Sequence, residues 1–197
     1  MQLTFLFPLL WLAYGIEVRG RHNLRELSGP CLVISNHNMH LDWGMVLRTL
    51  PRRFRARTSI AAATDDIFGT RRRALTSALL GNAFPFDKDG SGVRESLEYV
   101  RGVLHDGWNV LLFPEGKLTV CGPTQPFKGG AGWIAVRSGA AVLPVRIDVV
   151  RPGIYEGRWF PNPRGRVRVS IGAPLYLPPK ASYGEAVLAL EEAVRTA

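Results

Sequence analysis

The sequence predicts an α/β fold, a single three-layer domain with a mostly parallel, mixed sheet flanked by helices. Three observations predict it. The runs Leu32 to Ile34, Thr58 to Ala63 and Asn109 to Phe113 are short and nearly continuous in apolar character, the pattern of strands covered on both faces. Longer segments between them carry helical spacing, clearest at Val93, Leu97, Val100 and Leu104, so strands and helices alternate. The chain of 197 residues is long enough for one domain with its own core.

Taken in order, residues 1–16 (MQLTFLFPLLWLAYGI) carry no charge. They fall short of a comfortable membrane span, and Pro8 interrupts them. Met1-Gln2 and Glu17-Val18-Arg19 do not resemble a secretory signal and its cleavage site. The segment reads as a membrane-contacting helix, with Trp11 and Tyr14 suited to the headgroup level, and a buried core helix as the alternative. The division is therefore 1–16 as a hydrophobic segment and 17–197 as the main domain. If the segment spans, Arg19, Arg21 and Arg25 just beyond it would keep that domain on the cytoplasmic side.

Gly15 to Gly20 is a strand candidate, Asn23 to Leu27 a connector, and Gly29-Pro30 punctuates before the strand at Leu32 to Ile34. Trp43 to Leu50 is helical and is stopped by Pro51. Thr58 to Ala63 is a strand, Ile67 to Leu80 a helix, and Asn82 to Phe86 a strand running into the charged turn at Asp87 to Gly90. Ser91 is placed to cap a helix that runs to His105, and Gly107 ends it. After the strand Asn109 to Phe113 and a Gly/Pro-rich loop come a helix over Ala131 to Ser138, a strand over Ala141 to Val150 and another over Val167 to Ile171. An amphipathic helix over Ser182 to Arg195 closes the chain.

The net charge is +9, and arginine supplies the excess, since Lys88, Lys117, Lys128 and Lys180 are the only lysines. Eight arginines between Arg48 and Arg73 face only Asp65 and Asp66. Such a face is either simply solvated or attracted to an anionic membrane or a phosphate-rich ligand. Cys31 and Cys121 make neither a disulfide framework nor a paired metal spacing.

The chemistry concentrates beyond two strand ends. Ser35-Asn36-His37 follows the first apolar run, and Asp42 lies five residues after His37. On a regular helix those two side chains would point roughly 140° apart, so they meet only if the chain bends between them. A bend would let the carboxylate hold one imidazole nitrogen while the other faces a substrate, which makes histidine a general base. Phe113-Pro114-Glu115-Gly116 follows another strand. Its proline and glycine set a rigid turn that would place Glu115 and neighbouring amides at the site mouth. Lys128, with Gly129-Gly130 at a helix start, could hold an anion.

Together these blocks resemble the glycerolipid acyltransferase family, of the lysophosphatidic-acid acyltransferase type. Ser35-Asn36-His37…Asp42 is similar to its His-x4-Asp motif, and Ala83-Phe84-Pro85-Phe86-Asp87-Lys88 to its second block. Phe113-Pro114-Glu115-Gly116 matches the third, and Val142-Leu143-Pro144-Val145 the fourth. The resemblance implies transfer of a fatty acyl group from acyl-CoA or acyl-carrier protein to a glycerolipid hydroxyl at an anionic membrane surface. Neither cofactor nor metal nor nucleic acid is implied. His37 and Asp42 would be catalytic, without a covalent intermediate. Lys88, Phe113, Pro114, Glu115, Gly116, Lys117, Thr119 and Lys128 would bind substrate. Two departures concern the acceptor: Leu118 stands where the third block often has arginine, and Lys88 where the second usually has it. Lysine cannot make arginine's planar two-point contact with phosphate.

Two other readings compete. His37 or His105 with His40 and Asp42 could form a two-His, one-carboxylate metal set. The basic surface could instead mark a non-enzymatic membrane- or nucleic-acid-binding module. No Gly-x-Ser-x-Gly elbow surrounds any serine, and Gly116-Lys117 lacks the upstream glycine of a phosphate loop.

Overall fold

In a computed structural model of the chain, the residues described are 14–39, 41–64, 82–119, 124–151 and 165–197. Residues 1–13, the expected helix over Ile67 to Leu80, His40 and Cys121 lie outside them. Seven strands form one sheet: β1 (Tyr14–Arg19), β2 (Cys31–Ser35), β3 (Thr58–Ala63), β4 (Ala83–Phe86), β5 (Asn109–Leu112), β6 (Ala141–Arg151) and β7 (Gly165–Ile171), in the spatial order β1-β7-β6-β2-β5-β3-β4. Strands β2 to β6 run parallel to one another. β7 pairs antiparallel with β6, and β1 pairs parallel with β7. The sheet is mixed, as the sequence predicts. β1 also draws Tyr14, Gly15 and Ile16, the end of the uncharged N-terminal run, into the sheet edge.

The period-2 geometry of a strand divides the core between two faces. Val33 and Leu111 point to one face, against Met45, Val46 and Leu50. Leu32, Ile34, Val110 and Leu112 point to the other, against Val100, Leu104, Ile134 and Leu190. The first face is covered by α1 (Asp42–Thr49) and α2 (Arg52–Arg55), the second by α3 (Val93–His105), α4 (Gly129–Ser138) and α5 (Tyr183–Thr196). That gives the three layers. No described helix is long and apolar enough to cross a membrane.

The helix ends follow local chemistry, with one correction. Ser182 accepts from the Glu185 N–H while Glu185 reaches back to Ser182, a capping box. Ser91 does not cap α3; the position belongs to Gly92. A side chain at Gly92 would collide with the Asp87 carboxylate, 2.1 Å from where its Cβ would stand. The Asp87 N–H is in turn held by the Ser96 hydroxyl at 2.9 Å.

The polar start of β5 serves the sheet. Buried Asn109 accepts from the Cys31 N–H at 3.0 Å and donates to the Phe54 carbonyl at 3.1 Å, tying β2 to the end of α2. Beside it, burial pushes the Cys31 thiol up to about 12, so it stays protonated and unreactive at neutral pH. Alkylation of native protein mapped by mass spectrometry is therefore expected to leave Cys31 unmodified until the chain unfolds. Rapid native labelling would contradict this packing.

Candidate active site

The chain leaves β2 and β5, adjacent strands, toward opposite faces of the sheet. β2 is followed by α1 on one face, and β5 by α4 on the other. Such divergence opens a crevice at the carboxyl ends of the two strands, where ligands bind in open α/β sheets. His37 lies just past the end of β2, and Glu115 just past that of β5.

The bend between His37 and Asp42 is present. Asp42 is the first residue of α1, and its Oδ2 lies 3.1 Å from His37 Nδ1. The same oxygen accepts the backbone N–H groups of Asn38 at 2.5 Å and Met39 at 2.9 Å. Asp42 thus shapes the turn and orients the ring. Its side chain is fully buried, whereas that of His37 is 21% exposed. A ring that donates from Nδ1 to this carboxylate leaves Nε2 as a free acceptor. The imidazole stacks on Phe113, with centroids 4.4 Å apart and 25° between planes.

The asparagines beside the histidine have work beyond turning the chain. Asn36 replaces a strand residue: its amide donates to the Ile147 carbonyl at 2.9 Å and accepts the Ile147 N–H at 2.8 Å. Asn38 donates to the same carbonyl at 2.8 Å. Both anchor the loop to β6. The sequence marks them only as turn formers, because the strand they reach is more than a hundred residues away.

Glu115 differs most from expectation. The sequence places it at the mouth; the structure turns it inward, 3% exposed. One oxygen accepts the peptide N–H of His37 at 2.8 Å. The other accepts the Thr119 hydroxyl at 2.7 Å and the Gln125 N–H at 2.9 Å. Thr119 N–H then donates to the His37 carbonyl at 2.8 Å. Glu115 and Thr119 therefore grip both backbone groups of His37.

The remaining predicted residues gather around this clamp. Buried Pro114 receives the Lys128 N–H on its carbonyl at 2.9 Å. Gly116 has φ of +67°, and a Cβ there would stand 2.8 Å from Lys128 Cε, so the residue must be small for Lys128 to cross it. Lys128 Nζ then meets the Asp89 carboxylate at 2.6 Å and the Lys88 carbonyl at 3.4 Å, joining the second and third blocks. Lys88 is half-buried and Lys117 exposed. His105 sits at the end of α3, on the exposed surface. No group of three His, Cys, Asp or Glu among the described residues is arranged to hold a metal ion.

A mixed α/β sheet with a His–Asp pair and a Pro-Glu-Gly turn in its crevice defines the class of domain. Residues 15–148 match the family described as Acyltransferase, and the chain belongs to that family. It is 30% identical over 189 residues to 1-acyl-sn-glycerol-3-phosphate acyltransferase alpha of Mus musculus, covering 92% of this chain and 62% of that protein. It is 26% identical over 163 residues to the chloroplastic 1-acyl-sn-glycerol-3-phosphate acyltransferase BAT2 of Brassica napus, covering 83% of this chain and 46% of that one. The chain thus spans about half to three fifths of these relatives' length. In fold it matches the crystal structure of the 1-acyl-sn-glycerophosphate acyltransferase PlsC from Thermotoga maritima, with a TM-score of 0.72 and 24% identity. That match covers 95% of this chain and 72% of the other.

The clamp makes a prediction. Glu115→Gln puts an amide donor where only N–H and O–H donors point, leaving at least one of them without an acceptor. Urea unfolding is expected to show a loss of about 1–3 kcal/mol, the cost of an unsatisfied buried polar group. Unchanged stability would mean that the carboxylate is not the tie it forms here.

Proposed function

We propose that this chain transfers a fatty acyl group from an acyl thioester to a hydroxyl of a lysophosphatidic-acid-like glycerolipid. The observation that carries the reading is the oriented pair of His37 and Asp42 in the crevice. His37 Nε2 takes the acceptor's hydroxyl proton as its oxygen attacks the thioester carbonyl. Asp42 fixes the tautomer and stabilises the imidazolium that forms. The tetrahedral species then collapses by breaking the C–S bond, and the thiol leaves with the proton. A thioester is already activated, so no acyl-enzyme is required.

The acceptor phosphate needs cations, and Leu118 supplies none. Lys128, carried across Gly116, and exposed Lys117 on the same loop take that part, with Lys88 on the facing loop. Asp89 holds Lys128 in place while leaving its side chain 40% exposed. The membrane surface that would present the acceptor meets arginines on the α1–α2 side. Burial first, and then the nearby Arg21 and Arg55, lowers the Arg48 pKa.

Thiol release from acyl-CoA with a panel of lysophospholipid and glycerol acceptors tests the reading. Wild type is expected to turn over, and His37→Ala to lose about 10²–10⁴-fold in kcat, the usual contribution of a general base. Undiminished transfer by that variant would remove His37 from the mechanism. Lys128→Ala is expected to raise KM for the phosphate-bearing acceptor about tenfold, the scale of one charge-assisted hydrogen bond, and to leave KM for an uncharged acceptor unchanged. Equal effects on both would place Lys128 in the scaffold only.

A further inference from the structure

Outside the crevice, the described surface holds a groove of about 540 Å³ between the start of α3, the outer face of α4 and the start of α5. Its volume lies within the range of small-molecule sites. Ser91, Arg94, Leu97, Trp133, Arg137 and Tyr183 line it. Arg94 and Arg137 are exposed, and neither meets a carboxylate among the described residues. The acidic residue on the wall, Glu98, is already engaged by Arg101 at 2.7 Å. Trp133 is half-buried and Tyr183 is 44% exposed, so two aromatic side chains stand beside two exposed guanidinium groups. Leu97, on the groove wall, packs against Gly130, where a Cβ would stand 3.0 Å from its nearer methyl.

The groove begins at the rim of the crevice. Gly90 lines its edge, and the preceding residue, Asp89, holds Lys128 Nζ at 2.6 Å. Lys128 in turn lies over Gly116, next to the glutamate that grips the His37 N–H. A ligand with its thioester at His37 could therefore pass Lys128 and lie along α3 and α4.

Resting on the acyl-transfer reading, we infer that this groove takes the phosphorylated nucleotide end of an acyl-CoA donor. The donor's remote end combines an aromatic base with phosphate groups, joined to the thioester by a narrow, amide-containing arm. Arginine matches phosphate with paired N–H donors, and aromatic side chains offer faces on which a base stacks. A carrier protein would need a broad complementary surface, whereas this concavity has the size of a small ligand.

The test compares two thioesters of the same acyl chain, acyl-CoA and the N-acetylcysteamine thioester, which lacks nucleotide and phosphates. Wild type, Arg94→Glu/Arg137→Glu and the control Lys180→Glu, outside the groove, are assayed with both. Binding of adenosine 3′,5′-bisphosphate is measured by calorimetry. The double variant is expected to raise KM for acyl-CoA tenfold or more, with the N-acetylcysteamine thioester unaffected, and to lose nucleotide binding; Lys180→Glu should do neither. Equal effects on both thioesters, or none, would overturn the assignment, as would wild-type transfer from acyl-carrier protein but not from acyl-CoA. Absence of transfer by wild type from any thioester would contradict the transferase reading itself, and it would be seen before any substitution was compared.

Discussion

A carboxylate withdrawn from water at the end of a parallel sheet must find donors, or it is destabilising by several kcal/mol. Glu115 finds three, and they come from three separate stretches of chain: the His37 peptide, Thr119 and the Gln125 peptide. The loops after β2 and β5 diverge to opposite faces, so nothing in the sheet's own hydrogen bonding holds them together. Glu115 does, and the Thr119 N–H returns a bond to the His37 carbonyl. The backbone of the candidate base is thereby held by Glu115 and Thr119, while Asp42 holds its ring. The rest of the site depends on this arrangement, because Pro114, Gly116 and Lys128 take their places around the same turn.

Charge is distributed in a consistent way around that clamp. The two interior carboxylates, Asp42 and Glu115, are spent on orientation and accept from backbone groups. The cations stay near solvent: Lys117 on the turn, Lys128 across Gly116, and Arg94 and Arg137 along the outer groove. An interior that orients and a rim that attracts suits a substrate whose reacting hydroxyl and thioester are neutral but whose remote ends are anionic. Leu118 stands on the same turn without a charge. Lys128 can reach the same loop from the start of α4 because Gly116 leaves its path open.

Much of the fold was legible because strand and helix periods are local. The apolar runs at Leu32, Val110 and Val142 named the central strands, and the four-three-four spacing from Val93 to Leu104 named α3, of which Val100 and Leu104 are buried. The amphipathic spacing over Ser182 to Arg195 named the last helix, and the structure adds the capping box between Ser182 and Glu185 at its start. The antiparallel pairing of β7 was not legible, since strand direction depends on the connection from β6 rather than on either strand's composition. Within the site, His37 and Asp42 could be paired from sequence because five residues and one bend join them. The inward turn of Glu115 could not, because its donors are 78 residues before it in one case and ten after it in another. Asn36 and Asn109 share that blindness. The available signal was a polar side chain within an apolar run, which buried structure tolerates only with partners.

In the proposed acyl transfer, His37 and Asp42 act as one unit. A double-mutant cycle measures this most directly, with kcat for thiol release determined for wild type, His37→Ala, Asp42→Asn and the double variant. The carboxylate acts only through the imidazole, so the double variant is expected to be no slower than His37→Ala alone, as for groups that function together. Independent, multiplicative losses from the two substitutions would show that Asp42 serves the reaction without His37, and would contradict their action as a pair.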